Sequence, residues 1–171
     1  MGKKSTKENK TPYQLRREEL GLSREDASQL LEFIPPERIL RFENGPSSPQ
    51  PDEVIQMAEK YKMPSLCNYY CSHECSIGRQ YVPEIKIEDL SQIVLKMLAS
   101  LNSISKEKER LIEITADGRI DEKEIKDFIH IQEELERISI TVETLQLWAE
   151  KMLAEDIIDM EIYNLYKTQN L

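Results

Sequence analysis

The sequence predicts an all-α protein, and three observations point to this fold class. Glycine is scarce, with 5 in 171 residues. Long stretches are rich in Glu, Lys, Leu and Ile, residues that favour helices. Signals for helix starts and stops recur through the first half of the chain. We therefore expect several short helices, followed by a helical C-terminal region with one long helix.

The clearest helix signals lie between Leu20 and Gly45, in the sequence LGLSREDASQLLEFIPPERILRFENG. Ser23 with Asp26 three residues later approximates a capping box, which predicts a helix that runs to about Glu32.

A second helix should follow after a tight turn. Pro35 and Pro36 suit only a first helical turn, where a missing N–H group has no partner to lose. The helix should run from about Pro36 to Glu43, and Asn44-Gly45 supplies a left-handed end. Two short helices across a tight turn are how a DNA-reading helix is presented.

The segment from Thr11 to about Glu74 resembles the lambda-repressor-like, XRE-type helix-turn-helix domain of bacterial regulators. The matching pieces are LREELGLSREDA and RILRFENG. The resemblance implies five short helices, with Pro36 to Glu43 as the recognition helix. Asp52 to Tyr61 would be the fourth helix, and Ser65 to Glu74 would lie in the fifth. Double-stranded DNA is the partner that it implies.

DNA contact requires donors to phosphate and side chains that reach base edges. Arg24 begins the first helix of the pair, where a phosphate is readily held. Arg38 and Arg41 are expected on the outer face of the recognition helix, within reach of guanine, and Glu37 can accept from cytosine N4. The candidate DNA-binding residues are Arg24, Glu37, Arg38, Arg41, Asn44 and Ser47.

Two departures from the family pattern weaken base reading. Pro35 and Pro36 stand where the family often carries Gln, Ser or Arg, and they have no donor. Pro46 stands where Lys or Arg often begins the next loop, so that a usual phosphate contact would depend on hydroxyls such as that of Ser47, or on the backbone.

The charge is unevenly distributed along the chain, whose formal net charge is -9. Residues 1–48 hold nine Lys or Arg and eight Asp or Glu, whereas residues 49–171 hold 14 and 24. Lys3, Lys4, Lys7 and Lys10 form a basic N-terminal arm that either follows DNA phosphates or only solubilises the chain. The acidity therefore belongs to the second half and does not oppose DNA binding by the first.

Three cysteines, Cys67, Cys71 and Cys75, recur at intervals of four. On a regular helix they would share one stripe, with His73 to one side. Three thiolates and an imidazole could bind zinc or an iron-sulfur cluster. Buried, reduced thiols in a helical core are the favoured interpretation, and redox switching is a third. We expect no cofactor, with the cysteine metal or cluster site as the alternative.

The C-terminal region predicts helices over Ile87 to Ser103 and Glu107 to about Thr115, and a long helix that opens at Asp121. Apolar residues recur along the long helix at intervals of three and four, as in a heptad seam. They are Phe128, Ile131, Leu135, Ile138, Val142, Leu145, Ala149 and Met152. The pattern predicts a homodimer through this helix, as a coiled coil, or an internal bundle.

The turn TADGRIDEKE before the long helix resembles half of a calcium loop. Glu113 and Thr115 stand where a competent loop has Asp or Asn, so we favour a helix end at Gly118 and a cap at Asp121.

Four segments follow from this reading: a basic arm (1–10), the helix-turn-helix domain (11–76), a linker (77–86) and an acidic helical dimerisation or interaction domain (87–171). No catalytic motif is present, so we expect no enzyme. No apolar targeting core or membrane span is present either, so a cytoplasmic protein is expected.

Two functions remain open at this point. One is a sequence-specific transcriptional regulator that binds a paired operator as a homodimer. The other is an adaptor that keeps the helix-turn-helix fold but binds a partner protein through its acidic helices.

Overall fold

The computed structural model describes residues 10–45 and 47–169. These residues form helices joined by turns and include no strand, which confirms the predicted all-α class. The predicted roles of Lys3, Lys4, Lys7 and Pro46 lie outside the described residues. The α-helices are α1 (Pro12–Glu19), α2 (Arg24–Leu31), α3 (Pro36–Asn44), α4 (Pro51–Lys60), α5 (Ser65–Tyr69), α6 (Gly78–Tyr81), α7 (Leu90–Thr115), α8 (Ile125–Ala154) and α9 (Met160–Gln169).

The first two helices begin at side-chain caps. The Thr11 hydroxyl accepts from the backbone N–H of Gln14 at 3.3 Å at the start of α1. At α2, Ser23 Oγ accepts from the Asp26 N–H at 3.0 Å, and the Asp26 carboxylate accepts from the Ser23 N–H at 3.1 Å. The predicted capping box is therefore confirmed.

Helix α3 begins at the predicted residue, Pro36, and ends at Asn44, one residue after the predicted end. Pro35 precedes it in an extended conformation and Pro36 occupies its first position. Gly45 ends it with φ 87°, and its N–H donates to the Arg41 carbonyl at 3.1 Å. Since φ is positive there, an L side chain at this position would be strained.

The fifth helix of the predicted domain has a different form from the one expected. Its α-helical part, α5, ends at Tyr69, and a π-helical turn continues over Tyr70–Glu74. The Cys75 N–H donates to the Tyr70 carbonyl at 2.9 Å, five residues back. Because a π turn changes the angular spacing of side chains, the three cysteines do not continue a single α-helical stripe.

The short helices enclose one apolar core. Its members come from α1 to α5 and the segments between them, and each is at most 7% exposed. They are Tyr13, Ala27, Leu31, Ile34, Ile39, Phe42, Val54, Met57, Ala58, Tyr61 and Leu66.

The chain separates into two compact units. One comprises the described residues of Met1–Ile85 together with those of Ala149–Leu171, and the other is Lys86–Trp148. Lys62 pairs with Asp156 at 2.5 Å within the first unit. The predicted linker, 77–86, contains the short helix α6. The limits of the four predicted segments stay a prediction.

The C-terminal helices differ from the sequence prediction in three ways. Helix α7 is continuous over Leu90–Thr115, where the sequence predicted two separate helices. The Ser and charged residues between the two predicted helices do not interrupt it, because they are compatible with an exposed helical face. Helix α8 begins at Ile125 rather than at Asp121, after a turn. Helix α9 was not predicted.

Candidate nucleic-acid interface

The outer face of α3 is the candidate surface for DNA. Ile39 and Phe42 are buried at 0% and 3% exposure, which fixes the rotation of the helix on the core. Glu37, Arg41 and Asn44 are exposed on the opposite side. Their spacing of four and three residues places them along one face. Leu40, 40% exposed, lies on the same face.

Arg41 is available for a ligand. Its side chain is exposed, and within the described ranges it makes no hydrogen bond or ion pair with another side chain. Glu37 and Asn44 lie one turn before it and about one turn after it. The three polar side chains thus project from the helix together.

Arg38 has a different position from the one that the sequence suggested. Its guanidinium makes two parallel hydrogen bonds to the Glu53 carboxylate, each 2.8 Å long. It also donates to the Ser47 hydroxyl and to the Ser48 carbonyl, both at 3.1 Å. Of the two arginines expected on the outer face, Arg41 is exposed and Arg38 is half-buried, because α4 supplies a carboxylate that holds Arg38 against the 47–50 loop. Its role in DNA binding stays a prediction.

Glu53 is fixed from two directions. Its carboxylate accepts from the Gln50 N–H at 2.6 Å, as part of the cap of α4, and from Arg38. Partial burial would raise the pKa of Glu53, but these hydrogen bonds outweigh burial and hold the pKa below its ordinary value. The same bonds raise the pKa of Arg38. The pair is therefore ionised at neutral pH and ties the start of the recognition helix to α4.

Arg24 is also held by a carboxylate. Its Nε donates to Glu43 Oε2 at 2.8 Å, while Arg17 donates to the same carboxylate at 2.5 and 3.0 Å. Glu43 is 1% exposed and Arg17 is 6% exposed, so a buried ion pair joins α1 to α3. Arg17 Nη1 also donates to the Leu22 carbonyl at 2.6 Å, which leaves the pair well hydrogen-bonded.

The structure thus assigns positioning roles to Arg17, Glu43 and Glu53, which sequence reasoning did not single out. Glu43 belongs to the R-x-E-N-G end of α3, and Gln50 with Glu53 has capping-box spacing, so both signals were present. Their ion-pair partners lie 15 to 26 residues away in the chain, which local patterns do not reveal.

Of the three cysteines, Cys67 lies in α5, Cys71 in the π-helical turn and Cys75 directly after that turn. All are free thiols of intermediate burial. Burial, the neighbouring Cys71 and the carboxylate of Glu150 raise the pKa of the Cys67 thiol. The His73 ring stacks on Tyr69 with centroids 4.6 Å apart. Over the described part of the chain, no three Cys, His, Asp or Glu side chains gather as metal ligands.

The turn before α8 uses its carboxylates as caps. Asp121 Oδ1 accepts from the N–H groups of Lys123 and Glu124 at 2.7 and 3.1 Å, and Glu124 accepts from the Asp121 N–H at 3.2 Å. Gly118 has φ 70°. These bonds agree with the capped turn that the sequence favoured over a calcium loop.

Comparison with known proteins identifies a segment of the N-terminal half. A helix-turn-helix family model matches residues 14–65. These residues are therefore an XRE-type helix-turn-helix, a DNA-binding and non-enzymatic domain family, as the sequence resemblance implied. No significant match was found among curated proteins or solved structures. No helix of the described residues is both long and apolar enough to cross a membrane.

Proposed function

We propose that this protein is a sequence-specific transcriptional regulator that binds a paired operator as a homodimer in the cytoplasm. The observation that carries the proposal is the exposed face of α3, where Arg41, which has no side-chain partner among the described residues, stands with Glu37 and Asn44. Long donors and acceptors on one helix face match the hydrogen-bonding groups of base edges in the major groove.

The remaining candidate DNA-binding residues beside this face are Arg24, Arg38 and Ser47. Arg24 and Arg38 each retain a cationic guanidinium at the surface, with side-chain exposures of 31% and 23%. They would attract phosphates while remaining paired with Glu43 and Glu53, which orient them. Arg41 is accordingly the residue for base reading, and the other two arginines set the register on the backbone.

Pairing of two copies would present two recognition helices to successive major grooves. Half-sites one helical turn apart require centres about 34–36 Å apart. The repeated apolar residues of α8 supply a pairing surface, since Leu135 and Val142 of the predicted seam are 48% and 39% exposed. The function needs binding and pairing only, without catalysis or a cofactor.

The test is selection of duplexes from a random pool by the full-length protein. We expect enrichment of a two-fold symmetric site. Arg41→Ala should weaken binding to that site by about 5- to 150-fold, since a good bidentate base contact provides about 1–3 kcal/mol of discrimination. Arg38→Ala should weaken binding to all duplexes more evenly and lower the salt dependence.

Arg79→Ala is the matched control, because Arg79 is also exposed but lies on α6. Equal effects of Arg41→Ala and Arg79→Ala would refute base reading by α3.

A second candidate function is a protein-binding adaptor. It is favoured by the apolar side chains that the acidic second unit exposes, among them Leu95 at 61% and Leu98 at 52%. If the folded protein enriches no duplex at low salt, the adaptor replaces the regulator as the proposed function. Affinity capture of a partner by the full chain, lost on substitution of these leucines, would then support it.

A further inference from the structure

The second unit, Lys86–Trp148, is built on an antiparallel helical hairpin. Arg110, near the end of α7, pairs with Asp127, near the start of α8, at 2.7 Å. The connection between the helices covers only residues 116–124. Ile93 at the start of α7 and Thr144 and Leu147 near the end of α8 are buried as well, which agrees with two helices of this unit that run in opposite directions.

Each helix has a buried line where it packs within the unit. On α7 the line includes Ile93 and Ile114, both 0% exposed, and on α8 it includes Ile131 at 1%. Buried or half-buried residues recur between these positions at helical spacing, so that each helix has one line of contact.

A second apolar line lies beside the first on α7 and is left exposed. Leu90, Val94, Leu98 and Leu101 recur at intervals of four, four and three and are 40%, 42%, 52% and 44% exposed. At about 100° per residue, this line lies roughly 100° around the helix from the buried line. The apolar surface of α7 is therefore wider than one neighbouring helix covers.

Helix α8 shows the same displacement. Phe128, Leu135 and Val142 recur at intervals of seven; Phe128 is half-buried, and the other two are 48% and 39% exposed. This line lies about 90° from the buried line of α8, in the same rotational sense as on α7. In an antiparallel pair, equal displacements in the same sense place both lines on the same side of the hairpin.

The opposite side of the hairpin is mostly polar. Apart from Ala99 and Ile140, the positions displaced in the other rotational sense carry polar side chains, which include Gln92, Lys106 and Glu113 on α7 and Lys126, Glu133 and Arg137 on α8. The unit thus has one apolar face and one charged face, as expected of one layer of a two-layer bundle.

The dimensions of the apolar face fit a second hairpin of the same length. The 26 residues of α7 extend about 39 Å at 1.5 Å per residue. Two helices side by side are about 20 Å wide, so the face covers on the order of 800 Å². A standard stable interface buries about 800 Å² on each partner.

We propose that this face, defined by Leu90, Val94, Leu98 and Leu101 of α7 with Phe128, Leu135 and Val142 of α8, pairs with the same face of a second copy to form a four-helix bundle. The inference rests on the homodimer of the proposed function and specifies its interface. Two equal faces related by a two-fold axis form a closed, self-complementary contact. It differs from a coiled coil of α8 alone, which would leave the exposed line of α7 in water.

The test measures the molecular mass of the full-length protein by sedimentation over a range of concentrations. The double variant Leu98→Glu/Leu101→Glu puts four like charges into the paired face of the dimer. It should raise the dimer Kd at least 100-fold. Leu95→Glu is the control, because Leu95 lies on the same helix, is 61% exposed and points away from both apolar lines. It should leave the dimer intact.

A milder variant, Leu98→Ala/Leu101→Ala, removes apolar surface without adding charge and should raise the dimer Kd by about 10-fold or more. Circular dichroism checks that each variant keeps its helix content. A dimer that survives both double variants would overturn the four-helix bundle and return the pairing to α8 alone or to another surface. A monomeric wild-type protein would overturn the bundle and the dimer together, whereas DNA binding through Arg41 is measured separately.

Discussion

The helix-turn-helix domain and the α7–α8 hairpin are both helical, but they bury their apolar side chains to different extents. Six large side chains of the first, Tyr13, Leu31, Ile39, Met57, Tyr61 and Leu66, are at most 1% exposed. In the second unit only Ile93, Ile114 and Ile131 are buried to that extent. Short helices that cross one another enclose a core, whereas two long antiparallel helices cover only one line of each. The first region encloses its core, whereas the second leaves a line of apolar side chains exposed on each helix.

The contrast is also electrostatic. The helix-turn-helix domain contains a buried ion pair, since Arg17 and Glu43 are 6% and 1% exposed. In the hairpin, the Arg110–Asp127 pair joins side chains that are 35% and 44% exposed. A buried pair with extra hydrogen bonds fixes the position of α3, whereas an exposed pair contributes little to stability.

The largest expected effect follows from breaking the buried pair. Glu43→Ala leaves the Arg17 guanidinium buried without its carboxylate and should cost about 3–5 kcal/mol of stability. Amide hydrogen exchange in α1 and α3 measures this loss. Glu37→Ala removes an exposed carboxylate from the same helix and should change stability by less than about 0.5 kcal/mol. Similar losses in the two variants would show that the pair does not stabilise the domain.

Truncation of one leucine in each region tests the contrast directly. Leu66 is 0% exposed, so Leu66→Ala should cost about 2–5 kcal/mol at every protein concentration. Leu98 is 52% exposed in a single chain, so Leu98→Ala should destabilise the protein only in the concentration range where copies pair. Thermal unfolding at several concentrations separates the two cases. A concentration-independent loss in Leu98→Ala would indicate that its face is covered within one chain.

A substitution at Gly78 tests how tightly α6 packs against the π-helical turn. A Cβ at Gly78 would come within 2.1 Å of the backbone oxygen of Cys71. Gly78→Ala should therefore shift the π turn or α6 and cost about 1–3 kcal/mol. Ser76→Ala, at an exposed neighbouring position, is the control. Hydrogen exchange over 67–82 should rise only in the glycine variant, and unchanged exchange there would contradict the close contact.

The smallest effect concerns acid stability. Because the folded pKa of Glu53 lies below its ordinary value of 4.5, its ionised form stabilises the fold above that pH. This contribution is lost as the pH falls from about 4.5 through the lowered pKa. Glu53→Gln and Arg38→Gln should each flatten this part of the curve of stability against pH. Urea unfolding between pH 2 and 6 measures it, and an unchanged curve in either variant would contradict the assignment.

The sequence was most informative where structure depends on neighbours in the chain. The Ser23–Asp26 box, the Pro36 start and the Gly45 end of α3 were all predicted and confirmed. It was less informative where backbone hydrogen bonding departs from the α-helix. Nothing in the sequence around Cys71 indicated the π turn, because its i to i+5 bonds use backbone groups that every residue has.

In the candidate DNA-binding site, too, some positions depend on local spacing and others on tertiary contacts. The placement of Glu37, Arg41 and Asn44 on one face follows from helical spacing alone. The placement of Arg38 does not, because its Glu53 partner lies 15 residues away and comes close only when α4 packs beside α3.

The sequence by itself determined the all-α class, the helix-turn-helix segment and the limits of α2 and α3, since caps, prolines and apolar spacing act over a few residues. Only the tertiary structure decided that Arg41 is exposed and Arg38 is not, which carboxylates hold Arg24 and Arg38, and which apolar line of α7 stays exposed. These depend on contacts between helices distant in the chain, where geometry determines which of several similar side chains meet.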